Sequence, residues 1–164
     1  MTNKEFFLKT LKAEAPVFIR VLKAVPKDQA AFKPHERARS AARIAQQLAH
    51  QPRGIVGIVA AGIPDFSGYR DTEPPSLDEI VAMAEKNYPE LERALAAVSE
   101  QDWEQGTATL THPGGKWEAK KYEMAWGFLF DAIHHRGQLS TYIRAVGGKV
   151  PSIYGGSADE APRG

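Results

Sequence analysis

Asp131-Ala132-Ile133-His134-His135-Arg136-Gly137-Gln138 lies within a longer apolar and aromatic segment that contains Trp126 and Phe128. At about 3.6 residues per turn, an i, i+4 spacing stacks Asp131 and His135 on one helical face. Extending the helical projection places Met124, Gly127, Phe128, Asp131, His135, Gln138 and Tyr142 in one broad stripe. The spacing predicts a helix from about Tyr122 to Val146, stopped by Gly147 and Gly148. Most neighbours in the stripe are apolar, so Asp131 and His135 are expected to face inward. An unpaired carboxylate there would be costly, and it needs a cation, a metal or a hydrogen-bonded imidazole. A divalent ion held by both groups and a metal-free Asp131–His135 pair both satisfy this demand. Arg136 projects away from the stripe. Gly137, weak in a helix interior, reads as a point of close backbone approach.

Working outward from this helix, three more long amphipathic segments appear. Thr2 or Asn3 can cap a first helix running to about Val25, with Phe6, Phe7, Leu11, Phe18, Val21 and Leu22 on its apolar face and Pro16 bending it. Residues 26–38 read as a loop. Ser40 can cap a second helix whose core stripe is Ile44, Leu48, Ile55 and Ile58, and Pro52 should kink or split it. Gly62 to Pro75 is a loop in which Tyr69 and Arg70 could line a pocket mouth. Ser76 and Glu79 then form a capping box for a third helix to about Ala97, with Ile80, Met83, Leu91 and Leu95 inward and a possible kink site at Pro89.

Between the third and last helices, Thr107 to Thr111 alternates, His112-Pro113-Gly114-Gly115 turns, and Lys116 to Ala119 returns as a short hairpin. Trp103, Trp117 and Trp126 read as core or hairpin anchors, and His35 and His112 as solvent-exposed. The expected fold is all-α: a four-helix bundle with a short hairpin or irregular excursion before the last helix. The bundle covers residues 1–154 and an irregular tail 155–164, which should fray beyond Tyr154.

With 164 residues, 43% apolar and 25% charged, the chain fits one soluble domain. Its 21 basic and 20 acidic residues leave a net charge of +1, which is no footprint for nucleic acid or an anionic membrane. The absence of cysteine excludes disulfides, thiolate nucleophiles and cysteine zinc sites. No serine sits in a nucleophile-elbow or phosphate-loop context. The charged N-terminal residues are unlike a signal peptide, and no run approaches the roughly 20 apolar residues of a membrane span. These features set the expectation of a cytoplasmic protein.

The run His134-His135-Arg136-Gly137-Gln138-Leu139, followed by Tyr142-Ile143-Arg144, Gly147 and Val150-Pro151, resembles the DinB family of four-helix-bundle proteins. That resemblance implies a metal site of three histidines, one from the second helix and two from the fourth at i and i+4. The last ligand falls on His135. The other two fall on Asp131 and on Gln47, so oxygen donors replace two imidazoles. His50, three residues beyond Gln47, is a further candidate, standing beside its reading as a solvated surface histidine. The implied cofactor is a divalent metal: zinc, nickel or manganese. The implied activity is that of a metal-dependent hydrolase or thiol S-transferase acting on a small-molecule substrate, with a low-molecular-weight thiol as a possible partner. His134 is the catalytic candidate, as a general base or a support for the ligands. The resemblance also leans towards a homodimer, with no nucleic-acid or membrane partner. The alternative is a non-catalytic bundle whose degenerate metal site serves as a polar core network or small-ligand pocket.

Overall fold

Thr2 accepts a hydrogen bond from the Glu5 amide (3.2 Å), and the Glu5 carboxylate accepts from the Thr2 amide (2.8 Å). This reciprocal cap starts α1 (Asn3–Lys23) in the computed structural model, which describes residues 1–69 and 73–162. A 3₁₀ turn at Lys27–Gln29 follows, and Ser40 caps α2 (Ala41–Ala61) by accepting from the Arg43 amide. Ser76 and Glu79 form the expected capping box of α3 (Leu77–Ala97). Next come a short α4 (Glu100–Gln105), strands β1 (Thr107–His112) and β2 (Gly115–Lys120), and the long α5 (Lys121–Ala145).

The four long helices close into a ring. Helix α2 packs on α3 and α5, and α1 packs on the same two helices. Their inward stripes supply the core: Phe7, Leu11 and Phe18 from α1, Ile44, Leu48 and Ile58 from α2, Ile80, Leu91 and Leu95 from α3, and Met124 and Leu139 from α5. Each such side chain contributes about 1.5–3 kcal/mol through removal from water. Phe6, expected on the same face as Phe7, is instead half exposed beside Trp126.

Helix α2 runs unbroken through Pro52, so the proline does not split it. A proline leaves a gap in the backbone ladder. The carbonyl that loses its donor is Leu48 O; at the adjacent Ala49 O, the buried Asn87 amide of α3 donates (2.8 Å) and ties the two helices together.

Helix α4 is the element that periodicity does not announce. Six residues are too few to establish a helical stripe, although Ser99 caps it. It carries Trp103 into the core, where the indole N–H donates to Asn3 Oδ1 (3.0 Å).

The hairpin is antiparallel, and its register pairs Leu110 with Trp117. It is anchored where α2 ends. Gly62 takes the left-handed conformation (φ 68°) that caps the helix, and Thr109 N–H donates to Gly62 O (2.8 Å). A side chain at position 62 would also meet Thr107 O at 2.7 Å, so both backbone angle and space require glycine.

Arg136 departs from the sequence expectation. It does leave the Asp131–His135 stripe, but into the interior: it is 1% exposed and ion-paired with Glu14 of α1. The reason lies in the packing of α5, which contacts α1, α2, α4 and the hairpin, so its second face is covered as well. Residues 155–162 lack regular structure, yet this part of the tail is tied back rather than frayed. Glu160 pairs with Arg20 of α1, and Asp159 pairs with Arg144 and accepts from Val150 N–H (2.8 Å).

Candidate functional site

Helices α2 and α5 lie side by side, and the loop after α2 and the hairpin cover the groove between them. The result is a cavity of about 500 Å³. Its apolar walls are Phe66 from the loop, Phe128 from α5, and Leu110 and Trp117 from the hairpin. Phe66 and Phe128 stack, with ring centroids 5.8 Å apart. Gly127 admits the indole wall: a Cβ there would meet Trp117 Cη2 at 3.0 Å. The polar end is formed by Arg39, Gln47, Gln51 and Asp131, with Tyr69 and His50 beside them.

Asp131 is the hub of that polar end. Its Oδ2 accepts from Gln47 Nε2 (2.9 Å) and Gln51 Nε2 (3.0 Å), and its Oδ1 lies 3.3 Å from His135 Nε2. The His135 hydrogen bond is the main cause that draws the Asp131 carboxyl down to about 2, with the two amides helping and burial opposing. The same bond is the main cause that raises His135 above its ordinary value, against burial and the nearby Arg39 charge.

Gln47 links this carboxylate to a cation. Its Oε1 accepts from Arg39 Nη1 and from the Tyr69 hydroxyl (3.2 Å). The other guanidinium nitrogen, Arg39 Nη2, lies 3.1 Å from His135 Nε2. His135 Nδ1 in turn meets Gln138 Oε1 at 3.0 Å. An N–H on Nδ1 pointing to Gln138 leaves the Nε2 lone pair for Arg39. A second proton on Nε2 is offered to Asp131 Oδ1 and is set against the guanidinium.

The residues singled out from sequence thus occupy unequal positions. Gln47, Asp131 and His135 form one connected network, with His135 buried and Asp131 half exposed. His134 is solvent-exposed, touches the His135 ring edge-on at 5.0 Å, and does not line the cavity. His50 is not a solvated surface residue: it is buried against the cavity, its ring 5.6 Å from that of Tyr69. Burial, and then the Arg53 charge, lower its pKa, so it is neutral at pH 7. His35 and His112 are exposed as expected. Tyr69 lines the cavity; Arg70, its expected companion, falls outside the described residues.

Arg39, Gln51 and Phe66 escaped the sequence reading. Gln51 carried a signal, since it stands i, i+4 from Gln47 on α2. Arg39 carried none: it precedes the Ser40 cap in a charged loop and reaches the site only because α2 starts beside His135.

A helical bundle with a polar-ended cavity between α2 and α5 is the class that fold and site define. The DinB family model matches residues 1–163, and the chain belongs to that family. A solved DinB-like protein from Bacillus cereus is similar over 92% of this chain and 97% of its own, with a TM-score of 0.73 at 18% identity. Another, from Bacillus subtilis, is similar over 88% and 95%, with a TM-score of 0.70 at 17% identity. These likenesses concern the fold. No curated protein sequence matches the chain. Among the described residues, no helix is long and apolar enough to cross a membrane.

The metal implied by the family fits these residues poorly. No three His, Cys, Asp or Glu side chains gather into a metal-holding group among the described residues. Gln47 turns its amide nitrogen to Asp131 and engages both lone pairs of its oxygen, with Arg39 and with the Tyr69 hydroxyl, leaving none for a metal. Reversing the amide would set its oxygen against the carboxylate. A guanidinium also stands between Gln47 and His135, where a divalent ion would meet a like charge.

Proposed function

We propose that this chain is a small-molecule-binding member of the DinB family in which an internal arginine takes the place of the metal, and that the cavity between α2 and α5 holds an organic ligand. The observation that carries this reading is the Arg39 guanidinium bridging Gln47 Oε1 and the His135 ring. A positive charge is thereby supplied to Asp131 and His135 from within the chain. The remainder of the site has the make-up of a ligand pocket, with aromatic walls and a few convergent polar groups in a volume suited to a small molecule.

The competing reading is a divalent-metal-dependent hydrolase or thiol S-transferase, with Gln47, Asp131 and His135 holding zinc, nickel or manganese. It draws support from the convergence of Asp131 Oδ1 and His135 Nε2 at 3.3 Å on adjacent turns of α5.

Calorimetric titration of the untagged, chelator-treated protein with each of the three metals separates the two. The expected result is no binding tighter than about millimolar, equivalent to about 4 kcal/mol. Combining Arg39→Ala with Gln47→His should create zinc affinity, since it removes the competing cation and adds an imidazole. Stoichiometric binding by the unaltered protein that is lost in His135→Ala would overturn the proposal in favour of the metalloenzyme.

A further inference from the structure

The two formal charges in the cavity lining differ in what they can offer a ligand. Asp131 already faces three donors, from Gln47, Gln51 and His135, so both of its oxygens are engaged. Among the described residues, Arg39 is the only cation in the lining, and it contacts only Gln47 and His135 through its terminal nitrogens. Its Nε–H and its remaining Nη hydrogens are therefore available. A guanidinium edge presents parallel N–H groups matched to a carboxylate.

Arg39 also forms the wall between this cavity and a second, wider groove. Among the described residues, that groove is lined by Lys33, Arg37, Arg39 and Arg43 against Glu36 and Glu73. An approach with this charge balance raises the local concentration of anions and disfavours cations. Beyond Arg39 the cavity is aromatic, with the Phe66–Phe128 stack on one side and Trp117 closing it from the hairpin. Flat rings of this kind favour a flat, apolar ligand body through offset or edge-to-face contact.

We propose that the ligand is an aromatic monocarboxylate, its carboxylate on Arg39 and its ring system between Phe66, Phe128 and Trp117. A single negative charge is matched by the one guanidinium among the described residues of the lining. A phosphate dianion would leave one charge unmatched beside Asp131. This inference rests on the reading of the cavity as a metal-free ligand site.

The test uses the full chain and three probes with the same ring system: 2-naphthoate, the neutral 2-naphthalenemethanol and the cationic 2-naphthylmethylamine. Calorimetry should show the acid binding at least about tenfold more tightly than the alcohol, as a charge-assisted hydrogen-bonded pair provides, and the amine binding weakest. Arg39→Gln should abolish the preference, bringing acid and alcohol to within about twofold of each other. Trp117→Ala, at a half-exposed position that spares the core, should weaken acid and alcohol alike and preserve their ratio. Equal binding of acid and alcohol, or an undiminished ratio in Arg39→Gln, overturns the ligand class while the cavity still binds. Preference for the amine overturns it by assigning recognition to Asp131. If none of the three probes binds, this inference falls, and the zinc titration decides separately whether the metal-free reading falls with it.

Discussion

His135 and Arg136 are adjacent in sequence, and both are buried, yet they serve different faces of α5. Arg136 enters the interior towards α1, where its guanidinium pairs with Glu14 and lies 4.6 Å above the Phe18 ring and 4.9 Å from the centre of the Tyr154 ring. One charge meets one charge, and aromatic faces cover the rest. His135 faces α2 and meets Asp131, Arg39 and Gln138, which compete for two ring nitrogens. A closed pair has one arrangement and holds the fold together. An open network has several arrangements of protons and partners, so an incoming ligand can shift it at small cost.

Arg136→Met should break the comparison at its stronger end. It leaves Glu14 buried without its cation, and removal of one partner of a buried pair costs about 3–5 kcal/mol. Urea unfolding should show a lower midpoint with an unchanged slope. Adding Glu14→Leu should restore most of the loss, because the stranded charge disappears with its partner.

Gly137, the next residue along, separates a structural from a merely permissive position. The close backbone approach expected there is absent among the described residues, where a Cβ at Gly137 meets nothing within 4 Å. Gly137→Ala should therefore stabilise the protein by about 0.5–1 kcal/mol, since glycine in a helix interior loses more backbone freedom on folding. A higher thermal midpoint checks this. A loss of stability would reveal a role for Gly137 in the bound or assembled state.

The smallest effect on stability is expected at the open end of the comparison. Asp131→Asn should cost at most about 1 kcal/mol, because the carboxylate is half exposed and screened by water. Its effect should depend on pH in a definite direction. Asp131 is lowered from 3.8 to about 2, so its contribution is present above 3.8 and is lost as pH falls towards 2. His135 is raised above 6.5, so its contribution is complete below 6.5 and is lost as pH rises through its folded value. The gap in thermal midpoint between wild type and Asp131→Asn should therefore be widest between about pH 4 and 6.5. In the same variant, the His135 pKa followed by NMR should fall, since its main cause of elevation has gone.

Much of this architecture could be read directly because its signals are local. Ser76 with Glu79 and Ser40 before Ile44 mark helix starts through contacts spanning three residues. The alternation of Thr107 to Thr111 around a Pro-Gly-Gly turn marks the hairpin in the same way. The i, i+4 relation of Asp131 and His135 is also local, and the two side chains do meet. Helix α4 stayed hidden because one and a half turns carry too little periodicity to stand out.

By itself, then, the sequence determined the four long helices, the hairpin and the inward run of α5, all consequences of backbone geometry acting over a few residues. Tertiary structure alone decided which helix covers which face, and with it the pairing of Arg136 with Glu14, 122 residues away. It also decided that Arg39, an exposed-looking loop residue, lies against Gln47 and His135. The physical reason is that the Coulomb and hydrogen-bond partners of a side chain depend on distance in space, which folding sets through the packing of whole helices. A pattern of residue types along the chain specifies what each helix must bury and leaves open which distant charge it will meet there.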